Sequence, residues 1–460
     1  MSIPPPRLIK KTIPPESSMK HSLKLMIALA FAGSALNARA AADLLQVYRD
    51  AAAFDAQYAA ARAQRDAGLE KLPQGRAGLL PTLGLSANTT WNDVEATARA
   101  TGTTRGVEYN NNGWSVALSQ PLFRWQNWVG YKQAELAAAA AELQFVLAGQ
   151  DLMLRATQAY FDVLLAQETL ATAQAQKIAI AEQLESAKRN FEVGTATITD
   201  THEAQARYDL ADAQAIAAEN DLAVKRQTLR TLTGKEPETL KALRPAVQIG
   251  RPQPDDIGKW VESAEGGNLS VQLAQTNFEV ATREIEKQRA GHFPTLDLVA
   301  SHGKSGTGYS STTGSGSDTR SNTIGLQLAV PLFAGGATVS KQREAVALNE
   351  KARADLDNAR RSATLGARQA YLGVSAGLAQ VRALEAGVAS SQLAVESNKL
   401  GYEVGVRINI DVLNAQSQLF DTRQKLAKAR LDTLVSQLRL KAAAGTLTVD
   451  DLAAINALLE

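Results

Sequence analysis

The sequence predicts a mainly α-helical protein, built as an internal duplication, in which each half carries one β-hairpin of membrane-crossing length. Three observations predict it. The first is a self-match at constant offset. Phe191-Glu192-Val193-Gly194 recurs as Tyr402-Glu403-Val404-Gly405, so that Gly405 lies 211 after Gly194. Asp411 after Asp200, Tyr371 after Tyr160, Gln416 after Gln205 and Gly445 after Gly234 keep the same spacing of 211. Upstream the register drifts slightly, with Pro121-Leu122-Phe123 recurring as Pro331-Leu332-Phe333 and Pro81-Thr82-Leu83 as Pro294-Thr295-Leu296. Such a period is too long for a solenoid unit and marks a doubled half-protein. The second observation is a pair of proline-free helical tracts, Gln126 to Val193 and Thr338 to Val404. The third is a change of hydrophobic period from 3.6 to 2 in front of each tract.

The elements follow in order. Lys20 and Lys24 precede an apolar run, Leu25 to Leu36, and Ala38-Arg39-Ala40 fits a small-x-small cleavage site, so residues 1–40 read as a secretory signal. A short buried helix is the competing reading. The start is either Met1 or Met19, since the stretch between them is proline-rich. The first repeat is expected over 41–233. It opens with a helix, Asp43 to Leu72, whose Leu44, Val47, Tyr48, Ala51 and Phe54 share one face, and which Pro73, Gly75, Gly78 and Pro81 end.

A hairpin is expected over 82–121. Thr82 to Trp91 alternates, with the odd positions mostly apolar, and Trp114, Val116 and Leu118 alternate with Ser115, Ala117 and Ser119. Asn92 to Asn112, polar and glycine-containing, reads as the connecting loop. Each run has about the length of a tilted membrane strand. The same pattern also fits a soluble hairpin packed on a core. Trp91, Trp114, Trp125 and Trp128 near the strand ends fit interfacial girdles.

The long tract then carries Leu136, Ala140, Leu143, Leu147, Gln150, Leu154, Thr157, Phe161 and Leu164 at alternating threes and fours, a heptad-type seam. At 1.5 Å per residue it makes a rod of roughly 100 Å. Asp200 to Leu232 runs back. This return helix and Asp43 to Leu72 together hold about as many residues as one rod, so they can stack end to end against it.

Residues 234–267, rich in proline, read as a small mixed α/β linker, and the second repeat, 268–443, follows the plan of the first. Ser270 to Arg289 is its opening helix, 294–331 its hairpin, and Asp411 to Ala443 its return helix. Within the hairpin, Gly303 to Ser321 reads as a loop. The tail, 444–460, is expected beside the linker.

Composition excludes several classes. Lys+Arg 49 against Asp+Glu 47 gives a net charge of +2 and no electrostatic case for nucleic acid. The absence of cysteine excludes disulfides and a lipidated cysteine. His21, His202, His292 and His302 have no metal-ligand spacing, no Walker, Rossmann or Gly-x-Ser-x-Gly pattern occurs, and no catalytic site or cofactor is expected. Four amphipathic strands cannot close a barrel, because an open edge in lipid strands its backbone polar groups at several kcal/mol each. Copies of the chain must complete the wall.

Gln120-Pro121-Leu122-Phe123, Val330-Pro331-Leu332-Phe333-Ala334-Gly335-Gly336, the tract Tyr402 to Ala415 and Leu440 to Leu447 resemble the TolC family of outer-membrane channels over essentially the whole mature chain. The resemblance implies a homotrimer: a twelve-stranded barrel in the outer membrane of a Gram-negative bacterium, a long α-helical barrel through the periplasm and an α/β equatorial belt. It implies type I protein secretion or multidrug efflux with a periplasmic adaptor and an inner-membrane pump. A soluble periplasmic coiled-coil adaptor is the alternative.

The resemblance also assigns a gate beside the turn glycines Gly194 and Gly405. Tyr402 and Arg407 would be its inner members, and Thr199 and Asp200 their acceptors across a seam. Exposed pairs of this kind contribute about 0.2–1 kcal/mol each, weak enough for a docking partner to undo. Asp411 resembles an acidic constriction whose second acid, one turn on, is here Asn414. Two plainer roles compete: Asp200 with Glu203 looks like a capping box, and Arg407 can be simply solvated.

Overall fold

The computed structural model describes residues 41–235, 239–244, 247–310 and 314–460. The signal segment and Pro237 and Pro245 of the linker lie outside the described residues. The opening helical region is three helices rather than one: α1 (Leu44–Phe54), α2 (Ala56–Leu69) and α3 (Lys71–Ala77). Asp55 separates the first two because its extended backbone lets its carboxylate cap α2, accepting from Tyr58 N at 2.7 Å. Pro73 and Gly75 do not end the helical region; both lie inside α3. Proline is tolerated there because first-turn N–H groups have no intrahelical acceptor.

The strands β1 (Thr82–Thr97) and β2 (Thr104–Phe123) are much longer than alternation predicts. The polar run Asn92 to Asn112 is mostly strand, and the turn shrinks to the residues between Thr97 and Thr104. Hydroxyl and amide side chains replace apolar alternation there, as in Asn110 Nδ2 donating to Thr89 Oγ1 at 2.8 Å. Past Pro121, β2 continues to Phe123 through a bulge. β3 (Thr295–Thr307) and β4 (Ser317–Ala329) likewise take residues from both ends of the expected glycine-serine loop. The sheet is antiparallel in the order β1-β2-β3-β4, so β1 and β4 are its edges.

The first rod, α4 (Trp125–Glu192), is a 68-residue helix, and α5 (Ile198–Thr233) returns along it to a left-handed Gly234. After the linker come α6 (Ile257–Gly267) and α7 (Leu269–Arg289). The second rod, α8 (Ala337–Glu403), is 67 residues long and is followed by α9 (Asn409–Ala443) and α10 (Val449–Asn456). The expected seam of α4 is divided: Ala140, Gln150, Thr157, Phe161 and Leu164 are buried, whereas Leu136, Leu143, Leu147 and Leu154 are half-buried.

The largest core lies at the middle of the rods, where the two halves meet. Leu44 of α1, Tyr160 and Phe161 of α4, Leu229 of α5, Leu434 and Leu438 of α9 and Leu452 of α10 pack together. Tyr160 Oη donates to Lys241 O at 2.8 Å, tying this core to the linker, and burial pushes its phenol pKa up. Single β-bridges, Ala42 with Leu240 and Leu243 with Leu459, join the chain's opening, linker and tail.

Candidate functional site: the paired tips

The distal ends of the two rods are the same turn built twice. In the first, Thr195 N and Ala196 N both donate to Asn190 O; in the second, Val406 N and Arg407 N both donate to Gly401 O. Gly194 and Gly405 take φ of +79° and +80°, a left-handed backbone that closes the helix at no steric cost to glycine. The side chains around these equal turns differ. A Cβ on Gly401 would lie 2.7 Å from Arg407 Cγ, so a side chain there, where the first tip has Asn190, would displace Arg407.

At the first tip Thr197 caps α5. Its Oγ1 accepts from Asp200 N at 3.2 Å, while its N–H and hydroxyl donate to Asp200 Oδ2 at 2.9 and 2.7 Å. The capping box is therefore Thr197 with Asp200 as third helical residue, not Asp200 with Glu203. At the second tip the equivalent cap is Ile408, which has no side-chain acceptor to offer. Asp411 is left to form an ion pair with Arg407, one turn back at 3.5 Å.

The tips sit side by side within one chain. Asn190 Nδ2 donates to Tyr402 Oη at 2.9 Å, Gln183 Nε2 to Asn409 Oδ1, and Arg207 Nη2 to Asn414 Oδ1 at 3.0 Å. Tyr402, Arg407, Asp411 and Asn414 thus gather on the second tip, and Thr199 and Asp200 on the first. Within the single chain Tyr402 meets Asn190 rather than Asp200, Arg407 meets Asp411 rather than Asp200, and Thr199 is exposed. Sequence reasoning missed Asn190, Gln183, Asn409 and Arg207. A signal existed for the first: Asn190 and Gly401 are a repeat-related pair of unlike residues flanking matched turns. Among the described residues no cluster of histidines and acids could hold a metal ion, and no helix is long and apolar enough to cross a membrane.

Comparison with known sequences gives two matched segments, one per repeat: the model of the family described as outer membrane efflux protein matches residues 47–235 and 260–446. The chain belongs to the outer membrane efflux protein family. It is 34% identical over 447 residues to outer membrane protein TolC of Escherichia coli K12, covering 95% of this chain and 89% of that one. It is 33% identical to the proteases secretion protein PrtF of Dickeya chrysanthemi, covering 94% of each. Solved structures agree on the fold. The Campylobacter jejuni CmeC outer membrane channel superposes with a TM-score of 0.76 at 16% identity, covering 91% of this chain and 90% of that one. VceC of Vibrio cholerae gives 0.74 at 19% identity, covering 87% and 96%. As a member of the outer membrane efflux protein family, the chain is a Gram-negative outer-membrane channel protein that reaches into the periplasm. The soluble-adaptor alternative has no support among these relatives.

Proposed function

We propose that three copies of this chain form an export duct for type I protein secretion, multidrug efflux or both, opened at its periplasmic tip by an adaptor and an inner-membrane pump. One observation carries the assembly, and the family resemblance its number: the chain's unpartnered surfaces come in matched kinds. The sheet ends in two open edges, and one face of it exposes Leu83, Leu85, Trp91, Ile324, Leu326 and Leu328. In lipid such edges must pair with another copy. On α8, Leu365, Leu372, Ala379, Ala386, Leu393 and Leu400 repeat every seven residues and are all exposed, an apolar stripe suited to a neighbouring helix.

In the closed duct Tyr402 and Arg407 of one copy face Thr199 and Asp200 of the next, and three copies of Asp411 ring the opening. The Arg407–Asp411 pair then competes with the seam, since one guanidinium serves either partner. The chain supplies a passage and no catalytic step. Membrane fractionation and planar-bilayer recording test the duct: a heat-modifiable trimer in the outer membrane that conducts ions is expected. A monomer recovered from the periplasmic extract without detergent would overturn it.

A further inference from the structure

The two faces of the sheet differ row by row. On one, hydroxyls pair across strands, Ser86 with Ser115 at 2.9 Å and Ser301 with Thr323 at 2.6 Å. Residues directly opposite in register share a face, so the other face can be read upward from the helical end. Leu83, Leu118, Ala300 and Ile324 form one row there, and Leu85, Val116, His302 and Asn322 the next. The third row is Ala87, Trp114, Lys304 and Arg320.

On β3 and β4 the apolar band ends at Ala300 and Ile324, and above the His302–Asn322 row two cations stand opposite each other in the third row. Like charges so placed repel. Lys304 donates to Asp318 Oδ2 at 2.8 Å on the next row, which offsets one of them. Arg320 is exposed and has no ion pair among the described residues. His302 lies edge-on to Trp114, ring centroids 5.4 Å apart, and its Nδ1 meets Asn322 Oδ1. The next acids on this face within the same chain, Asp93 opposite Glu108, stand three rows higher on β1 and β2.

We propose that Lys304 and Arg320 hold the phosphate of an anionic glycolipid of the outer leaflet, with its acyl chains against Ile324, Leu326 and Leu328. This rests on the reading of the sheet as part of an outer-membrane barrel. The row lies toward the hairpin turns, away from the helices, and therefore on the outer side. Arg320 offers a planar fork and Lys304 a point charge to one anion. The apolar residues below the intervening His302–Asn322 row, Ile324, Leu326 and Leu328, select a lipid over free phosphate, which has nothing to place on them. Tryptophan at the same level fits the headgroup boundary.

The intact trimer, purified in detergent, is titrated with diphosphoryl lipid A and with its dephosphorylated form, and bound lipid is counted by native mass spectrometry. The wild type is expected to prefer the phosphorylated form about tenfold, and inorganic phosphate should not displace it. K304Q/R320Q should lose that preference, K304R/R320K should restore it, and R105Q, altered on the opposite face, should leave it unchanged. Equal binding of the two lipids by the wild type, full preference in K304Q/R320Q, or displacement by inorganic phosphate would each overturn the site. Conductance and the heat-modifiable band, followed in the same preparations, report on the duct separately. Their survival with no phosphate preference rejects only this inference.

Discussion

The two halves fold to one plan, yet equivalent positions bear different loads. Tyr160 is wholly buried in the shared core, while Tyr371, its counterpart 211 residues on, is half-buried and donates to Asp255 at 2.8 Å. The first rod buries Tyr160, Phe161, Leu152 and Met153; the second buries only alanine, valine and one leucine. The joints between stacked helices differ too. Asp55 caps α2 and binds Arg155 through both oxygens at 3.0 and 3.1 Å, whereas the second joint has neutral Asn268, whose amide donates to Ala443 O at 2.8 Å. At the tips Thr197 satisfies Asp200 internally, while Ile408 leaves Asp411 to Arg407. Within one chain the first half therefore holds the larger buried side chains and the internally satisfied caps, and the second leaves more of its rod exposed.

The comparison breaks most visibly at the second tip. Y402F/R407E removes its links to Asn190 and Asp411, and single-channel conductance in a planar bilayer should rise severalfold. Unchanged conductance would remove the proposed gate role of Tyr402 and Arg407.

Next in size is the first joint. D55N keeps a good helix cap but loses the charge-assisted bonds to Arg155, at a cost of about 1–3 kcal/mol near neutral pH. Hydrogen bonding to Arg155 holds the Asp55 pKa below the ordinary carboxylate range. The stabilisation is thus complete above the unfolded value of about 3.9 and disappears as pH falls through the lower folded one. Denaturation of wild type and D55N should converge in acid. Any difference between them that survives there would sink the ion-pair account.

A smaller contrast lies in the caps. T197V should lose about 1 kcal/mol and weaken amide-exchange protection at the start of α5, whereas I408T should strengthen it at the start of α9. Equal responses at both tips would deny the asymmetry. The smallest effect concerns Asn414, which accepts from Arg207. N414D adds a second carboxylate one turn from Asp411, and block by multivalent cations should deepen modestly relative to wild type.

Much of this was legible in the chain itself. Duplication, the two rods and the two hairpins follow from repeats and hydrophobic period, because each depends on contacts a few residues apart. The strand ends were not legible: in Asn92 to Thr97 and Thr104 to Asn112 the apolar side chains are few, chiefly Val94 opposite Val107, among charged, amide and glycine residues that read as a loop. Of the candidate site, Gly194, Gly405, Asp200 and Asp411 announced themselves by repeating.

Sequence alone determined that there are two halves, where each rod turns and which strand face is apolar, since local stereochemistry and periodicity are written along the chain. Only tertiary structure decided that Tyr402 meets Asn190, that Asp200 serves Thr197, that Asp55 meets Arg155 and that Lys304 stands opposite Arg320. The cap apart, those pairings join separate elements. They depend on the rotation of one helix against another and on strand register, which no short window of sequence carries.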